Sequence, residues 1–245
     1  MSGPGAYVAV VLYVLPGLVI GSVLHELAHA AVAMRCGDPT PRRSRLLTLD
    51  PRRHLDPFGT SALLIAGIGW SKPVSPDPLH VRRNTQRAAI AVAGPLANLA
   101  VAAAFAIALR VEVLASGINV DGFLILAQFT AQGILVGLLL EGFLVNVALF
   151  VFNALPLPGL DGYAVLRSAL FTRAPRAFLW MENQRFVLYA AVIIVVVLLP
   201  QTTHGVINPL SSVTVGLAGQ LYSHAVEPGV TPLFLPLPNV FTLFG

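Results

Sequence analysis

Charge is what this sequence has least of. Asp, Glu, Lys and Arg make up 11% of its 245 residues, against about 25% in a soluble domain. Together with 56% hydrophobic residues, that scarcity excludes an ordinary water-soluble enzyme. A single cysteine, Cys36, excludes an intramolecular disulfide and a Cys-rich metal site, and it reads as an inert thiol. The first apolar run has no basic leader and is too long for the core of a cleavable signal peptide. It is therefore expected to stay as a membrane helix. The net charge of +4 does not indicate nucleic-acid binding. The basic residues sit in clusters beside apolar runs, as membrane topology requires.

What the chain does have is apolar length. One span runs from about Ala6 to Met34, with Pro16 and Gly17 as an expected bend and Glu26 as its one charge. A short apolar piece follows at Phe58–Trp70, then spans at Ala88–Leu109, within Gly122–Leu155, and at Phe186–Leu199. Basic clusters of six, four and four residues lie around Arg35–Arg53, Lys72–Arg87 and Arg167–Arg185; only Arg110 lies elsewhere. All three clusters can be cytoplasmic only if Phe58–Trp70 does not cross. A helix there would be about 20 Å long, short of the roughly 30 Å hydrocarbon core. A re-entrant hairpin, bent at Gly59, Gly67 and Gly69, fits better, with its backbone covered by protein or water. The expectation is an all-α polytopic membrane protein with about four transmembrane helices and a re-entrant hairpin between the first two. Residues 1–200 would form the membrane domain. Residues 201–245 would form a C-terminal tail, external or interfacial.

Inside the first span lies His25-Glu26-Leu27-Ala28-His29. Histidines four apart share a helix face, so both rings can reach one zinc ion. The glutamate between them can hold the proton of a zinc-bound water. His29 lies six residues before Arg35, about 9 Å from the cytoplasmic edge by helical rise. A third ligand has to come from elsewhere. In Asn153-Ala-Leu-Pro156-Leu-Pro158-Gly159-Leu-Asp161-Gly162 the prolines and glycines break a returning helix at similar depth. A broken backbone with an acid inside a membrane faces a polar cavity. Asp161 is therefore the expected third ligand, with the fourth position left for water.

Other polar residues are weaker candidates. Asn98, in Gly94-Pro95-Leu96-Ala97-Asn98, could bind a substrate backbone or an oxyanion, or bond between helices. Asn153 is close enough to the helix break to bind substrate, while Asn146, seven residues earlier, is expected to pack. His54 is expected to anchor the hairpin rather than ligate. Glu141 is expected to be interfacial or structural rather than an acid behind the ligands.

Taken together, these residues resemble the site-2 protease family of intramembrane zinc metalloproteases. The resemblance rests on His25-Glu26-x-x-His29 and Asn153…Asp161-Gly162. It is supported by Leu49–Thr60, Gly69–Val74 and Gly94–Asn98, and covers roughly Leu18 to Leu199. It implies the small prokaryotic branch, without PDZ or CBS domains. One departure is visible, since the second proline of the family's N-x-x-P-x-x-P-x-D-G falls at Pro158 and Gly159 stands in the usual proline position.

The resemblance implies a multi-pass cell-membrane endopeptidase with one Zn2+, acting in regulated intramembrane proteolysis. Its partners would be a single-pass membrane-protein substrate and the bilayer, with no nucleic acid. The peptide bond would be cut in or near the substrate's transmembrane segment, toward the cytoplasmic side. Glu26 would be the catalytic base, His25, His29 and Asp161 the metal ligands, and Asn98 and Asn153 the substrate contacts. The alternative is a transporter or ion channel using intramembrane His, Glu and Asp. No internal inverted repeat supports it.

Overall fold

The computed structural model describes residues 4–59, 72, 76–117, 130–195 and 209–226. Among them every regular element is a helix. In chain order these are α1 (Pro4–Arg35), α2 (Thr40–Arg43), α3 (Pro51–His54), α4 (Asn84–Ser116), α5 (Ala131–Asn153), α6 (Asp161–Leu170), α7 (Pro175–Asn183), α8 (Arg185–Ile193) and α9 (Pro209–Ala225). Three are long and apolar enough to cross a membrane: α1 over Val11–Arg35, α4 and α5. Lipid offers no partner to a backbone N–H, so such runs must bond internally as helix. α1 stays helical through Pro16, where the sequence suggests a bend, and α4 stays helical through Pro95.

These three helices pack mutually, and the packing is set by small residues. A Cβ on Gly17 of α1 would collide with the backbone of Gly142 on α5. A Cβ on Gly142 would strike the Phe105 ring of α4. Close approach of this kind supplies helix association where no hydrophobic driving force exists. Ala102, Ala106 and Leu109 of α4 meet Leu140, Phe143 and Val147 of α5 in the main core. Leu12 of α1 and Ile107, Val111 and Leu114 of α4 are exposed, which is the lipid-facing pattern of a membrane helix.

α1 ends where Gly37 takes φ 93°, and Asp38 N–H donates to Ala33 O at 3.0 Å. Glycine adopts that left-handed turn without penalty. The buried Asp38 carboxylate then accepts from Thr40 N at 2.9 Å and Asp77 N at 2.8 Å. This ties the end of α1 to the loop that leads into α4. Burial pushes the Asp38 carboxyl up, but the Thr40 and Asp77 hydrogen bonds outweigh it and hold it below the usual carboxylate range. The tie is therefore intact above that range and fails only as pH falls through the lowered value.

Several expectations fall beyond the described residues. The hairpin lies almost wholly there. Its two flanks meet, however, because Lys72 N–H donates to His54 O at 2.7 Å. The span expected at Phe186–Leu199 is described only to 195. Within the expected tail, α9 packs on α5 and α4 and adds Ala218 and Tyr222 to the main core.

Candidate metal centre

The first two ligand candidates are presented by one face of α1. His25 and His29 stand edge to face, with ring centroids 4.6 Å apart and planes at 84°. The third arrives on α6. α5 stops at Asn153, where Leu157 N–H turns back to Leu155 O and Leu160 N–H to Leu157 O, both at 2.9 Å. Gly159 sits at φ 92°, a conformation closed to proline. The glycine that departs from the family pattern thus gives this loop its own shape. The Tyr189 hydroxyl donates to Pro158 O and holds the loop from outside. A Cβ on Gly162 would collide with Ala154 O, so that glycine lets α6 press against the end of α5.

α6 is fixed in turn by α7. The Tyr163 hydroxyl donates to Glu182 Oε1 at 3.0 Å, and Arg167 Nε donates to the same oxygen at 2.7 Å. Burial, then the Glu182 carboxylate, pushes the Tyr163 phenol up to about 12. It therefore remains a donor across the physiological range. α6 also packs on α4, and Asp161 at its first turn is brought to the histidine pair.

The three side chains converge on one point. His25 Nε2 and His29 Nε2 are 3.0 Å apart, and Asp161 Oδ2 lies 3.2 Å from the first and 3.3 Å from the second. A tetrahedral zinc ion with bonds near 2.0 Å has ligand–ligand edges of about 3.3 Å. The triangle matches one face of that tetrahedron. Proton positions sharpen the match. His29 Nδ1 faces Ile90 O at 2.7 Å, and a carbonyl can only accept, so Nδ1 carries the proton. His25 Nδ1 faces Asn98 Oδ1 at 2.6 Å and is protonated for the same reason. Both Nε2 atoms then present bare lone pairs to each other and to the carboxylate. Asp161 Oδ2 is buried with no hydrogen-bond donor among the described residues. One added proton could relieve only some of these contacts, whereas a divalent cation relieves all three. The residues fit zinc.

α4 forms the wall of the site. A Cβ on Gly94 would collide with both Nε2 atoms, so any larger residue there must displace a ligand ring. Gly94→Ala is expected to weaken zinc binding at least ~10-fold, as loss of ligand support does. The zinc-free protein should lose about 1–3 kcal/mol of stability from overpacking and remain folded. Chelator competition measures the first and thermal unfolding the second.

The remaining candidates are placed as follows. Glu26 is buried beside the ligands on α1. Asn98 is fully buried, with its oxygen on His25. Asn153 Nδ2 bonds back to Leu149 O at 2.9 Å at the end of α5. His54 is fully buried, with Nε2 on Thr48 O at 2.7 Å. It belongs to the flank of the hairpin stretch and not to the metal cluster of the described residues. Glu141 is buried within α5, outside that cluster. Nothing in the sequence singles out Ile90, whose contribution is a carbonyl that no residue type announces. Gly94 stands out there only as a small residue.

Comparison with known proteins agrees with this geometry. The family model described as "Peptidase family M50" matches residues 13–198. A Bacillus subtilis (strain 168) protein, YwhC, named as a candidate zinc metalloprotease, is 36% identical over 160 residues. That alignment covers 63% of this chain and 67% of YwhC. Rip2 of Mycobacterium tuberculosis (H37Rv), named in the same way, is 32% identical over 213 residues, covering 82% of this chain and 72% of Rip2. Rip2 of Mycolicibacterium smegmatis is 31% identical over 202 residues, covering 78% and 70%. No solved structure matches the chain.

Proposed function

The chain belongs to peptidase family M50, the site-2 proteases, and is a membrane zinc metalloprotease; from that premise we propose that it hydrolyses a peptide bond in or near the transmembrane segment of a single-pass membrane protein. The observation that carries this reading is the convergence of three atoms able to ligate a metal, His25 Nε2, His29 Nε2 and Asp161 Oδ2, inside a bundle of apolar helices.

His25, His29 and Asp161 would hold one zinc ion. When bound, zinc supplies Lewis-acid chemistry, acidifying water and polarising a carbonyl. Glu26 receives the proton of the attacking water and passes it to the leaving amine. Its burial among apolar helices keeps bulk water from competing for that proton. Asn98 and Ile90 O hold the two imidazoles with their Nε2 atoms bare. Asn153, at the end of α5, binds the backbone of the unwound substrate. Because a helical substrate hides its peptide bonds, the broken segment Asn153–Asp161 and the hairpin stretch receive it in extended form.

The basic clusters support a site toward the cytoplasmic face of the cell membrane. The transport alternative has less support, since among the described residues the histidines and Asp161 meet at one centre.

The test is metal dependence in a bilayer. The purified protein in liposomes should cleave a co-reconstituted single-pass substrate. Chelation should stop cleavage, and stoichiometric zinc should restore it. Ion flux without cleavage would overturn the assignment.

A further inference from the structure

Asn98 is held by more than His25. Its Nδ2 donates to Gly21 O at 3.2 Å and to Asn146 Oδ1 at 3.3 Å. Asn146 is itself fully buried on α5. Its Nδ2 donates to Gly142 O at 2.8 Å and Gly17 O at 3.1 Å. Each bond in this series has a forced direction. Gly17 and Gly142 offer backbone carbonyls, which cannot donate. They fix which end of the Asn146 amide is nitrogen, and so its oxygen faces Asn98. That oxygen, with Gly21 O, fixes the Asn98 nitrogen on its side and the Asn98 oxygen toward His25. The His25 proton must then sit on Nδ1.

We propose that Asn146 is a positioning residue for the metal centre, setting the orientation of the Asn98 amide and through it the tautomer of His25. A free asparagine amide can flip at little cost. A flipped Asn98 would present its NH2 to His25 Nδ1, drawing the imidazole proton to Nε2, where the metal must bind. Asn146 makes that flip place oxygen against oxygen in a buried, low-dielectric site, where an unpaired polar contact is costly. Gly21 completes the arrangement from α1. A Cβ there would collide with the Asn146 amide, so α1 leaves room for the asparagine where α1, α4 and α5 meet.

This inference rests on the zinc reading of the site, and the experiment separates the two. The full chain is purified as wild type, Asn146→Leu, Asn98→Ala and the double variant. Zinc affinity is measured by chelator competition. The tautomer of His25 is read from 15N-histidine NMR of the zinc-free protein. Asn146→Leu should lower zinc affinity about tenfold or more, and should shift His25 from the Nδ1–H form toward a mixture. In the Asn98→Ala background the same substitution should change affinity less than about twofold, because its effect travels through Asn98. Wild-type affinity and an unshifted tautomer in Asn146→Leu would overturn the proposal. An equal, additive loss in the Asn98→Ala background would also overturn it, by showing a merely structural role. If Asn146→Leu does not fold, Gly21→Ala, which displaces the same amide, is held to the same outcomes. A wild-type protein that binds no zinc would instead refute the metal-centre reading itself.

Discussion

Glu26→Gln is expected to leave zinc bound and to stop peptide hydrolysis. Glutamine has the size and shape of glutamate, so the neighbours of this buried side chain on α1 are undisturbed. What it lacks is the basic oxygen. A positioned general base contributes about 10²–10⁴ in rate, and here the same group is asked both to take the proton and to return it. The expected loss is therefore at the upper end, roughly 10⁴-fold. Glu26 is not among the three converging ligands, so metal content should equal that of the wild type. Metal analysis beside cleavage of a membrane substrate in liposomes decides the matter. Near-normal cleavage by the variant would remove Glu26 from the chemistry, and loss of zinc would recast it as a support for the ligands.

Asp161→Ala is expected to remove zinc and all activity while the protein stays folded. A site left with two imidazoles no longer closes a tetrahedral face, and the charge that offsets the cation is gone. The scaffold should survive because α6 is held independently. Tyr163 and Arg167 both bond Glu182 on α7, and α6 packs along α4. The unfolding temperature in the absence of metal should match that of the zinc-free wild type. Only the gain on adding zinc should disappear. A site saturated at 100 times its dissociation constant is stabilised by about 2.7 kcal/mol, so the missing increment is measurable. Retention of zinc at wild-type affinity would show that the third ligand lies elsewhere.

The features of this protein that follow from spacing are legible in its sequence. His25 and His29 share a face because four residues make about one helical turn. Asp161 is marked by two prolines and two glycines crowded into ten residues, a density that breaks a helix where a single proline does not. Neither inference needs to know how helices sit against one another. What depends on register between helices is not legible there. Asn98 reaches His25 from 73 positions away, and the sequence leaves it open between a substrate contact and a bond between helices. In the structure its oxygen holds a ligand ring. Ile90 supports His29 through a carbonyl that every residue possesses. Gly94 reads as a site of close helix approach, and its actual neighbours, two imidazole nitrogens, depend on how α4 is rotated. Pro16 shows a different limit, since its lost N–H does not end the helix and α1 continues through it.

The three candidate ligands are divided across the chain, with two on α1 and the third at the start of α6. Peptide synthesis runs from one to the other through two intervening membrane helices, α4 and α5. A half-made chain carries the two histidines and the glutamate base but lacks the carboxylate that completes the ligand set. With that ligand set, competence would arrive only once α6 has been made and clamped, and a chain interrupted during insertion would leave behind an inert helix rather than an unregulated hydrolase in the membrane.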